Sequence, residues 1–106
     1  MSTSRIEIFK QMLVNDPINS TILFGLAKEY EKAGLHQDLI ETLDRYLALS
    51  DDEGNAYGML ARAYERLGQR DPARTAYQKG IDAAIAHGHP GMAEEYRMVL
   101  SSEYED

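Results

Sequence analysis

Apolar residues recur at spacings of three and four along most of the chain, the period of a helix with one buried face. Leu23, Leu26, Ala27 and Tyr30 make one stripe, Tyr57, Leu60, Ala61 and Tyr64 a second, and Tyr77, Ile81, Ala84 and Ile85 a third. No segment alternates as a half-buried strand would. Breakers divide the stripes: Asn15-Asp16-Pro17, Gly34, Ser50 to Gly54, Gly68 to Pro72, and Gly88 to Gly91. The pattern predicts an all-α chain of six helices, near residues 4–14, 20–33, 37–49, 54–67, 72–87 and 91–103. Their ends carry matching chemistry. Ser4 and Glu7 have the spacing of a capping box. Asp71-Pro72 reads as an N-cap followed by a proline at the first helical position. Gly34, Gly68 and Gly88 each follow a stripe, where a left-handed residue closes a helix. Helices this short hold no stability alone in water, so packing on neighbours must supply it.

The stripes also repeat. Residues 26, 27, 30, 31 and 34 read Leu, Ala, Tyr, Glu, Gly, and residues 60, 61, 64, 65 and 68 read the same. Charges follow the same 34-residue shift, with Lys28 and Lys32 matched by Arg62 and Arg66, and Arg45 by Lys79. The second unit runs Tyr57-x-x-Leu60-Ala61-x-x-Tyr64, Gly68, then Ala73-x-x-x-Tyr77. In period and motif it resembles the tetratricopeptide repeat family. The first unit, Leu23-x-x-Leu26-Ala27-x-x-Tyr30, Gly34, Leu39-x-x-x-Leu43, departs where Leu39 replaces a small residue and Asp51 the closing proline. The resemblance implies an α/α superhelix of antiparallel helix pairs. One domain, 1–106, would hold an N-terminal half-unit (4–17), repeat 1 (20–53), repeat 2 (54–87) and a capping helix with an acidic tail (90–106). Small residues such as Ala27 and Ala61 let helices approach, and Tyr30 and Tyr64 fill space between pairs.

Composition narrows the function classes. A chain of 106 residues is one domain by length. It has no cysteine, which excludes disulfides and thiolate metal sites. A net charge of −7 disfavours nucleic acid as a partner. The N-terminus lacks the apolar run of a secretory signal, and no stretch approaches the roughly 20 apolar residues of a membrane span. The expected location is the cytoplasm, with no membrane partner.

Family ligands are extended peptides or short helices held on a concave face lined by the first helix of each pair. By that resemblance the candidate peptide-binding residues are Phe24, Lys28, Lys32, Asn55, Arg62 and Arg66, with Arg97 if the last helix keeps register. Lys28 and Lys32 are one turn apart, as are Arg62 and Arg66, so each pair shares a helix face. The expected function is protein–protein interaction, with an acidic peptide or a C-terminal carboxylate as the ligand these cations suit. The same cations equally suit a solvated face, paired with Glu31 and Glu65. The alternative is a self-associating module, a homo-oligomer in which the tail Ser101 to Asp106 folds back or enters a neighbour; a frayed, solvated tail is the plainer reading. Nothing resembles an active site: there is no phosphate loop and no activated nucleophile, so no enzyme and no cofactor is expected. His87-Gly88-His89 with Glu94 or Glu95 is the only metal-like grouping, and its glycine-separated histidines do not preset tetrahedral geometry, so no metal is expected.

Overall fold

A computed structural model describes residues 4–105. Among them the chain forms six α-helices and no strand: α1 (Arg5–Asn15), α2 (Ser20–Ala33), α3 (His36–Leu49), α4 (Asn55–Arg66), α5 (Arg70–Ala86) and α6 (Pro90–Glu103). The largest departure from the expected bounds is the start of α5. Its N-cap is Gln69, so Asp71 lies in the first turn rather than at the cap. Pro72 is tolerated there because the amides of a first turn have no intrahelical partner. Asp71 keeps a favourable place near the positive end of the helix. At α1 the Ser4 hydroxyl accepts from the Glu7 amide at 3.2 Å, while the Glu7 carboxylate turns 3.8 Å from Lys10 Nζ, so the capping box is half made.

The three predicted glycine closures form. Gly34, Gly68 and Gly88 have φ of 71°, 72° and 76°. Around each, two amides fold back in the same way: Gly34 N to Glu31 O and Leu35 N to Tyr30 O, Gly68 N to Glu65 O and Gln69 N to Tyr64 O, Gly88 N to Ile85 O and His89 N to Ala84 O. This is the Schellman arrangement, which satisfies carbonyls that the helix itself leaves open. The repeat seen in residue types is thus a repeat in backbone hydrogen bonds.

The chain makes two compact units, one holding α1–α3 and ending at Ser50, the other holding α4–α6 and beginning at Asp51. In the first, α2 packs between α1 and α3. Leu13, Leu23, Leu26, Ala27, Tyr30, Leu39, Ile40 and Leu43 form its core. Leu39 is 2% exposed, so the bulky residue at the family's small position is absorbed into the core. Phe9 of α1 lies over Gly25 of α2, where a Cβ would stand 2.8 Å from the ring.

In the second unit α5 packs between α4 and α6. Its core is lined with small residues: Ala56, Ala61, Ala63, Ala73, Ala76, Ala84 and Ala93 are all buried. Into this narrow packing α6 inserts Tyr96, whose ring sits against Gly58 and Gly80; a Cβ at Gly58 would stand 2.3 Å from its hydroxyl oxygen, and one at Gly80 2.9 Å from the ring. The Tyr96 hydroxyl donates to the Gly54 carbonyl at 3.0 Å. Phe24 and Tyr46 hold the positions 34 residues before Gly58 and Gly80. In the first unit those two rings pack on each other, 5.0 Å between centroids. One tyrosine from α6 therefore fills in the second unit the kind of space that two aromatics fill in the first. The start of α4 depends on Asp52, 9% exposed, whose carboxylate accepts from the amides of Gly54 at 2.8 Å and Ala56 at 2.9 Å.

Candidate functional site

The first helices of the two repeats, α2 and α4, carry the cations marked by sequence. On α2, Lys28 is exposed and its ammonium stands 5.5 Å over the ring of the half-buried Phe24, which Tyr46 backs. Lys32 is exposed and pairs with Glu29 at 3.3 Å, not with Glu31. Glu29 also takes Arg5 at 3.2 Å. On α4, Asn55 opens the helix and is exposed, as are Arg62 and Arg66 one turn apart. Arg62 and Arg66 make no ion pair among the described residues, and neither does Lys28. Arg97 of α6 is exposed and pairs within its own helix with Glu94 at 3.6 Å. Exposed pairs of this kind are worth only ~0.2–1 kcal/mol, so Lys32 and Arg97 are readily drawn to a better anion. The structure thus brings Phe24 and Lys28 into contact and leaves Lys28, Arg62 and Arg66 without a carboxylate among the described residues.

Glu65, expected to neutralise a groove cation, does something else. Its Oε1 accepts from the Tyr77 hydroxyl at 2.9 Å and its Oε2 from the Tyr104 hydroxyl at 2.8 Å. The two rings meet edge to face, 6.1 Å between centroids. Arg70 and Arg74, one turn apart on α5, hold their guanidinium groups 4.6 and 5.7 Å from the centre of the Tyr104 ring. Arg74 Nη2 donates to the Tyr104 carbonyl at 3.0 Å, and Arg70 to the Glu103 carbonyl. The tail is therefore folded back through Tyr104, which is 6% exposed, rather than frayed at that residue. Burial first, and the hydrogen bond to Glu65 second, push the Tyr104 phenol up to about 12, and the same two causes raise Tyr77. A cavity of about 300 Å³, lined by Glu65, Gly68, Arg70, Glu103 and Tyr104, remains beside the ring. An aromatic residue in an otherwise acidic tail was the available sequence signal for this cluster.

The histidines turn away from Glu94 and Glu95. His87 Nε2 lies 3.1 Å from Asp51 Oδ2 and His89 Nε2 lies 2.7 Å from Glu53 Oε1, tying the turn before α6 to the loop before α4. That hydrogen bond to His89 holds the Glu53 carboxyl below its usual value. Among the described residues no three His, Asp or Glu side chains converge as metal ligands. No described helix is long and apolar enough to cross a membrane.

Antiparallel helix pairs, closed by left-handed glycines and repeating at 34 residues, define a tetratricopeptide-repeat-like fold. Known proteins agree. The chain is 28% identical over 95 residues, 90% of each chain, to the TPR repeat-containing protein PA0015 of Pseudomonas aeruginosa. Its structure is similar to the solution structure of protein BPP2914 from Bordetella parapertussis, with a TM-score of 0.78, 23% identity, and 94% of this chain and 87% of that one covered. It is also similar to the crystal structure of MamA, with a TM-score of 0.69 and 26% identity, over 92% of this chain and 66% of that one. No protein-family model matches the sequence.

Proposed function

We propose that the chain is a non-catalytic protein-binding module whose ligand is an acidic peptide segment or a C-terminal carboxylate. Lys28 and Arg62 are the observation that carries this reading. They occupy the same place in two repeats, both are exposed, and neither has a carboxylate partner among the described residues. Packing does not demand a cation at either position. Beside Lys28, the Phe24 ring offers an apolar contact to an incoming side chain. Similarity to a TPR repeat-containing protein supports a binding role of this general kind. The remaining candidates, Lys32, Asn55, Arg66 and Arg97, are exposed on α2, α4 and α6 and add hydrogen-bond donors to the same reading. Guanidinium groups suit carboxylates because they donate two parallel hydrogen bonds. Titration with labelled acidic peptides, each made with a free and an amidated C-terminus, tests the ligand class. Saturable binding that favours acidic sequences is expected. Equal response to acidic and neutral peptides would contradict it.

A second reading, self-association, is favoured by the exposed apolar residues of the first unit: Ile8, Met12 and Val14 on α1 and Ile18 in the following turn. Sedimentation analysis of the wild-type chain and of Ile8→Ser with Met12→Ser separates the two readings. A mass that falls to that of one chain in the variant supports association through α1.

A further inference from the structure

We infer that the crevice formed by Glu65, Arg70, Arg74 and Tyr77 is a second peptide-recognition site, specific for a tyrosine on an acidic segment, which the chain's own tail occupies in cis. The contacts to the tail are those of a bound ligand. The Tyr104 ring lies against two guanidinium groups and meets Tyr77 edge to face, and its hydroxyl ends on a carboxylate oxygen at 2.8 Å. Arg70 and Arg74 donate to two successive main-chain carbonyls, of Glu103 and Tyr104. Main-chain bonds of this kind hold any peptide in register, while the pocket selects the side chain. Selection here is for tyrosine over phenylalanine, because Glu65 needs a donor, and against a phosphorylated tyrosine, whose dianion would face that carboxylate. Two arginines against one carboxylate leave the site cationic, which fits the flanking Glu103 and Glu105 of the tail. The tail does not fill the site: about 300 Å³ stays open beside the ring.

This site lies at the α4–α5 turn and shares no residue with the cation faces proposed above. A tethered tail competes at an effective concentration on the order of millimolar, so the test first empties the site. The full chain carrying Tyr104→Ala is titrated with a labelled peptide of residues 101–106, read by fluorescence anisotropy. Saturable binding is expected, weaker by roughly three- to tenfold when the peptide tyrosine becomes phenylalanine and lost when it becomes alanine or phosphotyrosine. Adding Arg74→Ala to the protein should abolish binding, whereas Lys28→Glu should leave it unchanged. No binding to folded Tyr104→Ala, or binding indifferent to the peptide tyrosine, overturns the inference. Binding lost with Lys28→Glu does so too, since it would assign the peptide to the α2 face. Should Tyr104→Ala not fold, the wild-type chain is titrated by NMR at millimolar peptide. Shifts of the Gly68 and Arg74 amides are then expected, and their absence is the overturning result.

Discussion

Replacing Gly58 by alanine opposes two effects of opposite sign. At an ordinary helical position the change stabilises by roughly 0.5–1 kcal/mol, because glycine loses more backbone freedom on folding. At Gly58 the new methyl would stand 2.3 Å from Tyr96 Oη and 2.9 Å from Cζ, so the ring has to move. Overpacking of a filled core costs ~1–3 kcal/mol. Moving the ring also breaks the 3.0 Å hydrogen bond to the buried Gly54 carbonyl, and leaving that acceptor unpaired costs ~1–3 kcal/mol more. The net expectation is a loss of about 1–5 kcal/mol. Tyr96→Phe removes only the hydroxyl and should cost about 1–2 kcal/mol. In the double variant the closest contact is gone, so the two losses should fall short of additivity by about 1 kcal/mol. Urea unfolding followed by far-ultraviolet circular dichroism measures all three. A Gly58→Ala chain as stable as the wild type, or more so, would refute the wedge of Tyr96 between α4 and α5.

Other parts of the structure give shorter tests. Asp52→Ala should lower stability by about 1–2 kcal/mol through loss of the cap on α4, and Asp52→Asn by less, since the acceptor survives; thermal melts compare them. Tyr104 has a folded-state value raised from 10.0 to about 12, so its contribution is whole below pH 10 and is lost as pH rises through that interval. Stability should therefore decline between pH 10 and 12, and Tyr104→Phe should shrink the decline. Glu53 is lowered from 4.5 by its bond to His89, so that contact contributes above pH 4.5 and is lost as pH falls further. In His89→Ala the Glu53 titration midpoint, followed by NMR, should rise toward 4.5.

Much of the fold was legible because its determinants are local. Leu26, Ala27, Tyr30 and Gly34, and the same four types at residues 60, 61, 64 and 68, state the helix period and its closure in residues that lie close along the chain. The start of α5 was misplaced because Asp71-Pro72 matches a cap motif, yet any first-turn position tolerates a proline. Asp52 went unread because a capping acid two residues before Gly54 looks like one more charge in an acidic loop. The wedge of Tyr96 left a fainter mark: Phe24 and Tyr46 both become glycine one period later, a paired loss of bulk that implies a side chain arriving from elsewhere. Glu65 serves contacts that no local pattern encodes. Its match to Glu31 suggested a common surface role, but its partners Tyr77 and Tyr104 are 12 and 39 residues away and only the folded chain reveals them.

Binding of an acidic ligand by Lys28 and Arg62 is the core of the proposed function. It is tested most directly by anisotropy titration of a labelled acidic peptide with a free C-terminus against the wild type and the Lys28→Glu, Arg62→Glu double variant. The titration is repeated across a range of salt concentrations. Wild-type binding is expected to weaken as salt rises and to be lost in the double variant, with the helical circular dichroism of the two chains unchanged. Binding of equal strength in both chains, insensitive to salt, would contradict it.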